Sequence, residues 1–140
     1  MSTEFGLDPR LAGDSVPVIE LPLCSVRLMD DARFAWLLLV PRRAATSEIH
    51  ELDGMAQEQL WREIRLAGDA LRAVAPCDKL NLGALGNIVR QLHVHVVARR
   101  EGDAAWPGPV WGSGVAEPYA VQARERLVTA LHDRLAAAAD

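Results

Sequence analysis

The stretch RQLHVHVVARR, residues 90–100, constrains the fold most, because polar and aliphatic side chains alternate in it within a β-branched run. This alternation predicts a strand with one buried face, and residues two apart along a strand point to the same side. Gln91, His93 and His95 are therefore expected to share one face. Strand geometry places the two imidazoles about 7 Å apart at the backbone, so both can reach one phosphate or one metal ion.

The residues before this strand have the sequence patterns of a hairpin and a helix. Residues 23–31 and 36–43 have the pattern of two antiparallel strands, and residues 77–87 that of short extended structure interrupted by two glycines. A helix of about six turns is predicted between Asp53, its N-cap, and Pro76. Its apolar stripe consists of Leu60, Ile64, Ala67, Leu71 and Val74.

The order of these elements defines the expected fold. The first 17 residues predict an irregular arm or a short helical turn, and residues 117–138 predict a second helix. Strand, strand, helix, strand, strand, helix favours an α+β fold in which one long helix covers an antiparallel sheet. We expect residues 1–140 to form a single domain, with its core in residues 20–100 and a loop and helix in residues 101–140.

Charge and composition exclude several classes of function. The net charge of −4 provides no basic surface, so we expect no nucleic-acid partner. Cys24 and Cys77 are far apart in apolar surroundings and predict core residues instead of a disulfide. Neither a secretory signal nor a run of 18 apolar residues is present, so we expect a cytoplasmic protein without a membrane partner.

The histidine pair admits three interpretations from the residues alone. The histidines are ordinary half-buried strand residues, or two ligands of a metal site that needs a third, or the nucleophile and hydrogen-bond donor of phosphate chemistry. His50 and His132 lie in helical or pre-helical segments and receive no role. The segment upstream, NLGALGN, contains backbone and amide groups able to hold phosphate oxygens without net positive charge, or it is a plain turn. The candidate phosphate-binding residues in it are Asn81, Gly83 and Asn87.

QLHVHVV resembles the signature of the histidine-triad (HIT) superfamily, three histidines alternating with apolar residues on a strand, with Gln91 at the first position. LLLVPRR, the following long helix and the amide of Asn87, four residues before the triad, extend the resemblance over residues 20–100. The resemblance implies a HIT-like fold with a sheet of about five strands. It also implies a homodimer whose sheets join and cleavage at the α-phosphate of a nucleotide through a nucleotidyl-histidine intermediate.

The resemblance also implies roles for individual residues. His93 is the expected nucleophile, His95 the hydrogen-bond donor to phosphate oxygens, and Asn87 a contact of the phosphate chain. Asn81 is a further candidate for the phosphates. Asp30 falls near the position at which relatives hold the ribose hydroxyls.

Two departures from the family pattern concern proton carriers. Gln91 replaces the first triad histidine, and Trp36 stands where many relatives carry a further active-site histidine. In the family, the main-chain carbonyl at the first triad position orients the nucleophile, and glutamine retains it. We therefore expect a competent nucleophile with altered protonation of the leaving group. Ile88, after Asn87, lacks the hydroxyl of some relatives, which weakens the case for a phosphoramidate hydrolase.

The predicted function is that of a nucleotide hydrolase or nucleotidyl transferase acting on nucleoside phosphate derivatives such as diadenosine polyphosphates. The alternatives are a non-catalytic nucleotide-binding sensor and a metal-dependent hydrolase built on the HxH pair. No cofactor is required by the scheme, although Mg²⁺ is compatible with the substrate's phosphates.

Three peripheral features complete the expectations. Arg99 and Arg100 are interpreted as a solvated strand end, with contact to a phosphate tail as the alternative. The loop AWPGPVWG is expected to close over the nucleotide site, to lie at a dimer interface or to cover the protein's own core. Trp61, beside the helix stripe, is expected to pack against the core.

Overall fold

The computed structural model describes residues 4–139 and contains an antiparallel sheet of five strands. The strands are β1 (Ser15–Glu20), β2 (Cys24–Met29), β3 (Ala35–Pro41), β4 (Lys79–Gly83) and β5 (Val94–Arg99), in the spatial order β1-β2-β3-β5-β4. The helices are α1 (Pro9–Asp14), α2 (Gly54–Val74) and α3 (Val121–Ala138), with a short 3₁₀ turn at Ile49–Glu51. The predicted α+β class is confirmed.

One face of the sheet is covered by α2 and α3 and holds the larger apolar core. The predicted stripe of α2 packs there, and the helix begins as expected, because the Asp53 side chain accepts a hydrogen bond from the Ala56 amide at 2.8 Å. On the strands, the aliphatic residues of this face include Val26, Leu28, Leu37, Leu39, Val94 and Val96.

A buried carboxylate ties α2 to the connection between β1 and β2. Glu63 is fully buried, and its two oxygens accept hydrogen bonds from the Leu23 amide at 2.9 Å and the Cys24 amide at 2.7 Å. Gln59, one turn earlier on the helix, donates a further bond at 2.7 Å. The carboxylate thus satisfies backbone groups that would otherwise be buried without partners.

The opposite face of the sheet is covered by two irregular segments. Phe5, Leu7 and Leu11, before and within α1, pack against Leu38 and Val40 of β3. On the β5 side, residues 103–116 form a second cover, and Val110 of this loop belongs to an apolar cluster with Phe34, Trp36 and Val97. The cavity that contains His93 and His95 lies between these two segments.

Several expectations need correction. The first 17 residues contain a short helix, α1, which agrees with the predicted helical turn. They also contain the start of strand β1, which was not predicted, because its signal is obscured by Pro17 and by a register shift before Ile19. Helix α3 begins at Val121 instead of about residue 117, because the backbone of Ala120 is not helical, with ψ of 139°. The Tyr119 amide before it is bonded to the Asp30 side chain. Trp61 is 59% exposed, so its predicted packing role is wrong for this chain.

Two other expectations concern the cysteines and membrane-spanning helices. Cys24 is buried, Cys77 is partly buried, and both are free thiols, as predicted. Within residues 4–139, no helix combines the length and the apolar character needed to cross a membrane.

Candidate nucleotide site

A cavity of about 920 Å³ opens on the sheet face that α2 does not cover. Its floor includes His93 and His95, together with Trp36 and Leu38 of β3. Three segments supply the walls: residues 10–14, the loop 85–89, and residues 110–116 of the loop after β5. The sheet therefore places both histidines at the base of a cavity large enough for a nucleotide.

His93 lies immediately before β5, and its ring is held by the main chain. Its Nδ1 lies 2.6 Å from the main-chain oxygen of Gln91. A carbonyl oxygen only accepts hydrogen bonds, so this contact requires the proton of a neutral ring to be on Nδ1. The Nε2 lone pair is then free, which is the state a nucleophilic imidazole needs.

His95 lies within β5 and is held in the opposite tautomer. The Trp36 indole N–H donates to His95 Nδ1 at 3.0 Å, and because indole is only a donor, the proton of the neutral imidazole is on Nε2. The ring centroids of Trp36, Trp111 and His93 lie 5.6, 5.3 and 5.0 Å from that of His95. Burial, followed by the neighbouring His93, lowers the pKa of His95 from 6.5 to about 3. His95 is therefore a neutral hydrogen-bond donor at physiological pH.

Gly83 makes room for one wall of the cavity. It pairs with His95 across β4 and β5, and a Cβ atom at this position would lie 2.8 Å from the ring of Trp111. Trp111 fills that space, and its buried indole N–H has no hydrogen-bond partner within the described residues. The structure thus places Gly83 beneath a wall residue, and it does not place it among the residues that line the cavity.

The loop after β4 brings Asn87 to the site. Asn87 and His93 line both the large cavity and a second, more polar cavity of about 340 Å³. Gly86, with φ of 66°, provides the left-handed turn that precedes Asn87. Ile88, next in the chain, is 80% exposed at the rim of the large cavity.

Two predicted binding residues are engaged elsewhere. The Asn81 side-chain oxygen accepts a hydrogen bond from Arg99 at 2.8 Å, and Asn81 does not line the cavity. Asp30 forms an ion pair with Arg124 at 3.0 Å and accepts a bond from the Tyr119 amide at 3.0 Å. Asp30 faces α3 instead of the histidines, and its neighbour is one of two acids that line the cavity, the other being Asp14 of α1.

That neighbour, Asp31, lines the cavity and is 2% exposed. Arg33 holds it through side-chain nitrogens at 2.8 and 3.0 Å, and the Arg33 and Glu117 amides donate to it as well. Burial raises the pKa of Asp31, but these hydrogen bonds outweigh burial and leave the pKa below its usual value. The structure therefore brings Asp31 to the cavity, whereas the sequence predicted its neighbour Asp30.

Arg99 is buried, and its interpretation as a solvated strand end is wrong; Arg100 is exposed, as expected. The Arg99 guanidinium binds both oxygens of Asp103, at 2.8 and 2.9 Å, and lies 5.5 Å from the Trp106 ring centre. The Arg99 side chain lowers the pKa of Asp103 to about 2. This pair anchors the start of the loop that forms the Trp111 wall.

Gln91 does not share the cavity with the histidines. Its main-chain oxygen contacts His93, whereas its side chain is hydrogen-bonded to Gly6 and Asp8 near the N-terminus. For the metal interpretation, residues 4–139 contain no group of three His, Cys, Asp or Glu side chains placed to bind an ion.

Comparisons with known proteins identify the family of this chain and its fold. The family model described as the HIT domain matches residues 11–102, a match that begins earlier than the predicted core. A histidine triad (HIT) protein from Sinorhizobium meliloti is 48% identical, with 93% of this chain and 96% of that chain covered and a TM-score of 0.91. A histidine triad protein from Bradyrhizobium japonicum is 45% identical, with coverage of 94% and 98% and a TM-score of 0.92. A third, from Marinobacter aquaeolei, is 39% identical, with coverage of 96% and 98% and a TM-score of 0.93.

A comparison with curated proteins found no match. The fold and the paired histidines define a histidine-triad protein. With two thirds of its residues matched by the family model and close similarity to three solved structures, the chain belongs to the HIT family. Membership supports a function of the nucleotide-binding or hydrolase type.

Proposed function

We propose that this protein is a nucleotide hydrolase or nucleotidyl transferase that cleaves a bond at the α-phosphate through a nucleotidyl-His93 intermediate. The observation that carries the proposal is the 2.6 Å contact between His93 Nδ1 and the Gln91 carbonyl. This contact fixes the tautomer whose Nε2 has a free lone pair, and it needs only the main chain of residue 91. Replacement of the first triad histidine by glutamine therefore leaves the nucleophile's support intact.

The first step forms a bond between His93 Nε2 and phosphorus while the bond from phosphorus to the leaving oxygen breaks. The leaving group departs with the electron pair, and the positive charge on the substituted imidazole is stabilised by its Nδ1–H bond to the Gln91 carbonyl. In the second step water or an acceptor hydroxyl attacks phosphorus and loses its proton to solvent. The phosphorus–nitrogen bond breaks, and Nε2 regains its lone pair.

We assign His95 the role of donating a hydrogen bond to the phosphate oxygens. Its Nε2–H is directed by the Trp36 bond at Nδ1, and its depressed pKa keeps the ring neutral. Such a fixed donor stabilises the charge that develops on the phosphate without exchanging protons with it. Asn87, which borders both cavities, is assigned the adjoining phosphates, and Asp31, in place of Asp30, the ribose hydroxyls.

The same groups determine which leaving groups can depart, because none of them is a good proton source. Glutamine at position 91 and tryptophan at position 36 are not acids at neutral pH, and the depressed pKa of His95 makes it a poor proton source. A substrate whose leaving group is already a weak base is then favoured. Dinucleoside polyphosphates meet this requirement, because a polyphosphate leaves as an anion, whereas a phosphoramidate must release an amine.

The test is an intermediate-trapping assay with a radiolabelled dinucleoside polyphosphate in EDTA, quenched without acid. We expect turnover and a labelled protein adduct, both lost in His93→Ala, with turnover reduced roughly 10³-fold or more. His132→Ala, which removes an exposed histidine on α3, is the matched control. A tenfold or greater preference for the polyphosphate over a nucleoside phosphoramidate is expected as well.

The assay separates the proposal from its alternatives. Saturable nucleotide binding without adduct or turnover identifies a non-catalytic binding module. Activity that appears only with an added divalent metal, and that EDTA abolishes, identifies a metal-dependent hydrolase. Either result overturns the nucleotidyl-histidine scheme.

We also propose that the protein forms a homodimer through strand β4, an edge of the sheet. The other edge strand, β1, is interrupted by Pro17 and a register shift, whereas β4 presents Leu82 at 49% exposure. Trp61, 59% exposed, lies on α2 two turns before Gly68, where an added Cβ atom would be 3.0 Å from the Leu80 side chain of β4. Light scattering after gel filtration is expected to show a dimer that Leu82→Glu converts to a monomer; an unchanged mass places the interface elsewhere.

A further inference from the structure

Gln91 makes two hydrogen bonds that its main-chain role does not require. Its side-chain oxygen accepts from the Asp8 amide at 2.8 Å, and its side-chain nitrogen donates to the Gly6 carbonyl at 2.7 Å. A carboxamide presents a donor and an acceptor side by side, as a peptide group does. It therefore pairs with residues 6 and 8 in the way a neighbouring strand would.

The segment held by Gln91 is a wall of the nucleotide site. We define the N-terminal arm as residues 5–14, which comprise an extended stretch followed by α1. The side chains of Phe5, Leu7 and Leu11 pack on the sheet beside the cavity. Residues 10, 11, 13 and 14 of the arm line the cavity.

Arg10 and Asp14 are the charged residues of this wall. The cavity is lined by two arginines, of which Arg33 is bound to Asp31 and to the Ser113 carbonyl. The Arg10 guanidinium has no hydrogen-bond or ion-pair partner among residues 4–139. A cation at the rim without a protein partner suits the anionic part of a phosphate-containing ligand.

We propose that Gln91 is a positioning residue that clamps the N-terminal arm over the site and thereby sets the affinity for the nucleotide. The exchange of the first triad histidine for glutamine then replaces a proton carrier with a clamp on a cavity wall. The proposal rests on the proposed function for the identity of the ligand, but the clamp itself is a property of the fold. The main-chain oxygen of residue 91 continues to hold His93 in every side-chain variant, so the chemical step is spared.

The first test is Gln91→Met, which keeps the side-chain length and removes both hydrogen bonds. We expect the Asp8 amide to exchange with deuterium about tenfold faster, which is the factor for about 1.4 kcal/mol. The dissociation constant of AMP, measured by calorimetry, is expected to rise about threefold or more as the closed fraction falls. With a turned-over substrate, KM rises likewise and kcat stays within about twofold.

A second pair of variants tests the hydrogen bond between the Asp8 amide and Gln91 by changing Asp8, on the arm. Asp8 has φ of −58°, which proline adopts, so Asp8→Pro removes the amide donor, and the proline ring displaces the Gln91 side chain. It also removes the side-chain cap that accepts from the Arg10 amide, and Asp8→Ala removes that cap alone. AMP affinity is therefore expected to fall further in Asp8→Pro than in Asp8→Ala. In the double variant Gln91→Met/Asp8→Pro, the loss of AMP binding free energy is expected to be smaller than the sum of the losses in the two single variants.

Three results overturn the clamp. They are unchanged exchange at Asp8 in Gln91→Met, equal AMP affinity in Asp8→Pro and Asp8→Ala, and a fall in kcat at constant KM, which would assign Gln91 to the chemical step. Failure of the proposed function is recognised separately. In that case the wild-type protein forms no adduct, while faster exchange of the arm in Gln91→Met and weaker AMP binding still support the clamp.

Discussion

The two faces of the sheet are buried by different means. The face under α2 and α3 is aliphatic, and its buried charged residue, Glu63, accepts backbone hydrogen bonds that close the fold. The face with the cavity is covered by an arm and a loop, each fastened by one polar residue of the segment 91–99: Gln91 holds the arm, and Arg99 holds the loop. The two faces are therefore held by different groups, and only substitutions on the cavity face should change the nucleotide site.

The largest effect is expected from Arg99→Met. It leaves Asp103 buried without its bidentate partner, at a cost of about 4 kcal/mol. Because Asp103 begins the loop of residues 103–116, hydrogen exchange should accelerate there first, and nucleotide affinity should fall with loss of the Trp111 wall. Arg100→Met, at the exposed neighbour, is the control. Uniform protection of the loop in Arg99→Met would show that apolar packing alone holds this cover.

Glu63→Leu tests the opposite face. It removes the acceptor for the Leu23 and Cys24 amides, and we expect a loss of about 3 kcal/mol in the free energy of unfolding, measured with urea. Turnover per folded molecule in the cold should be unchanged, because the residue lies across the sheet from the histidines. Glu58→Gln, on an exposed position of the same helix, controls for charge. Loss of catalysis in fully folded Glu63→Leu would mean that the two faces are coupled.

The pH dependence of stability provides a third test. The folded-state pKa of His95, about 3, lies below its ordinary 6.5, so the unfolded chain binds a proton that the folded chain excludes between these values. Stability should therefore fall as the pH falls through this window, by about 2 kcal/mol at pH 5. The depressed pKa values of Asp31 and Asp103 affect stability at lower pH. His95→Asn should flatten the slope between pH 5 and 6.5; the same slope in both proteins would contradict the assignment.

Local sequence patterns predicted what depends on neighbours along the chain. Alternation located His93 and His95, and the spacing of apolar residues located α2. The contacts that give the site its character are long-range: Gln91 meets residues more than 80 positions away, and Trp36 meets His95 across 59. Asp30 and Asp31 are adjacent and equally acidic, and only the turn after β2 decides which one enters the cavity. No periodicity along the chain encodes such pairings, so these contacts could not be predicted from the sequence.

Trp36→Phe is the smallest and sharpest of the predictions. It removes the indole donor at 3.0 Å from His95 Nδ1, which costs about 1 kcal/mol and leaves the ring free to change tautomer. Trp111→Phe is the matched control, because that indole also lies against His95 but its N–H bonds nothing among the described residues. Nitrogen-15 chemical shifts should show His95 protonated at Nε2 in the wild-type protein and in Trp111→Phe, and a mixture of tautomers in Trp36→Phe. A single Nε2–H tautomer in all three proteins would mean that the sheet environment, and not Trp36, fixes the donor that faces the phosphate.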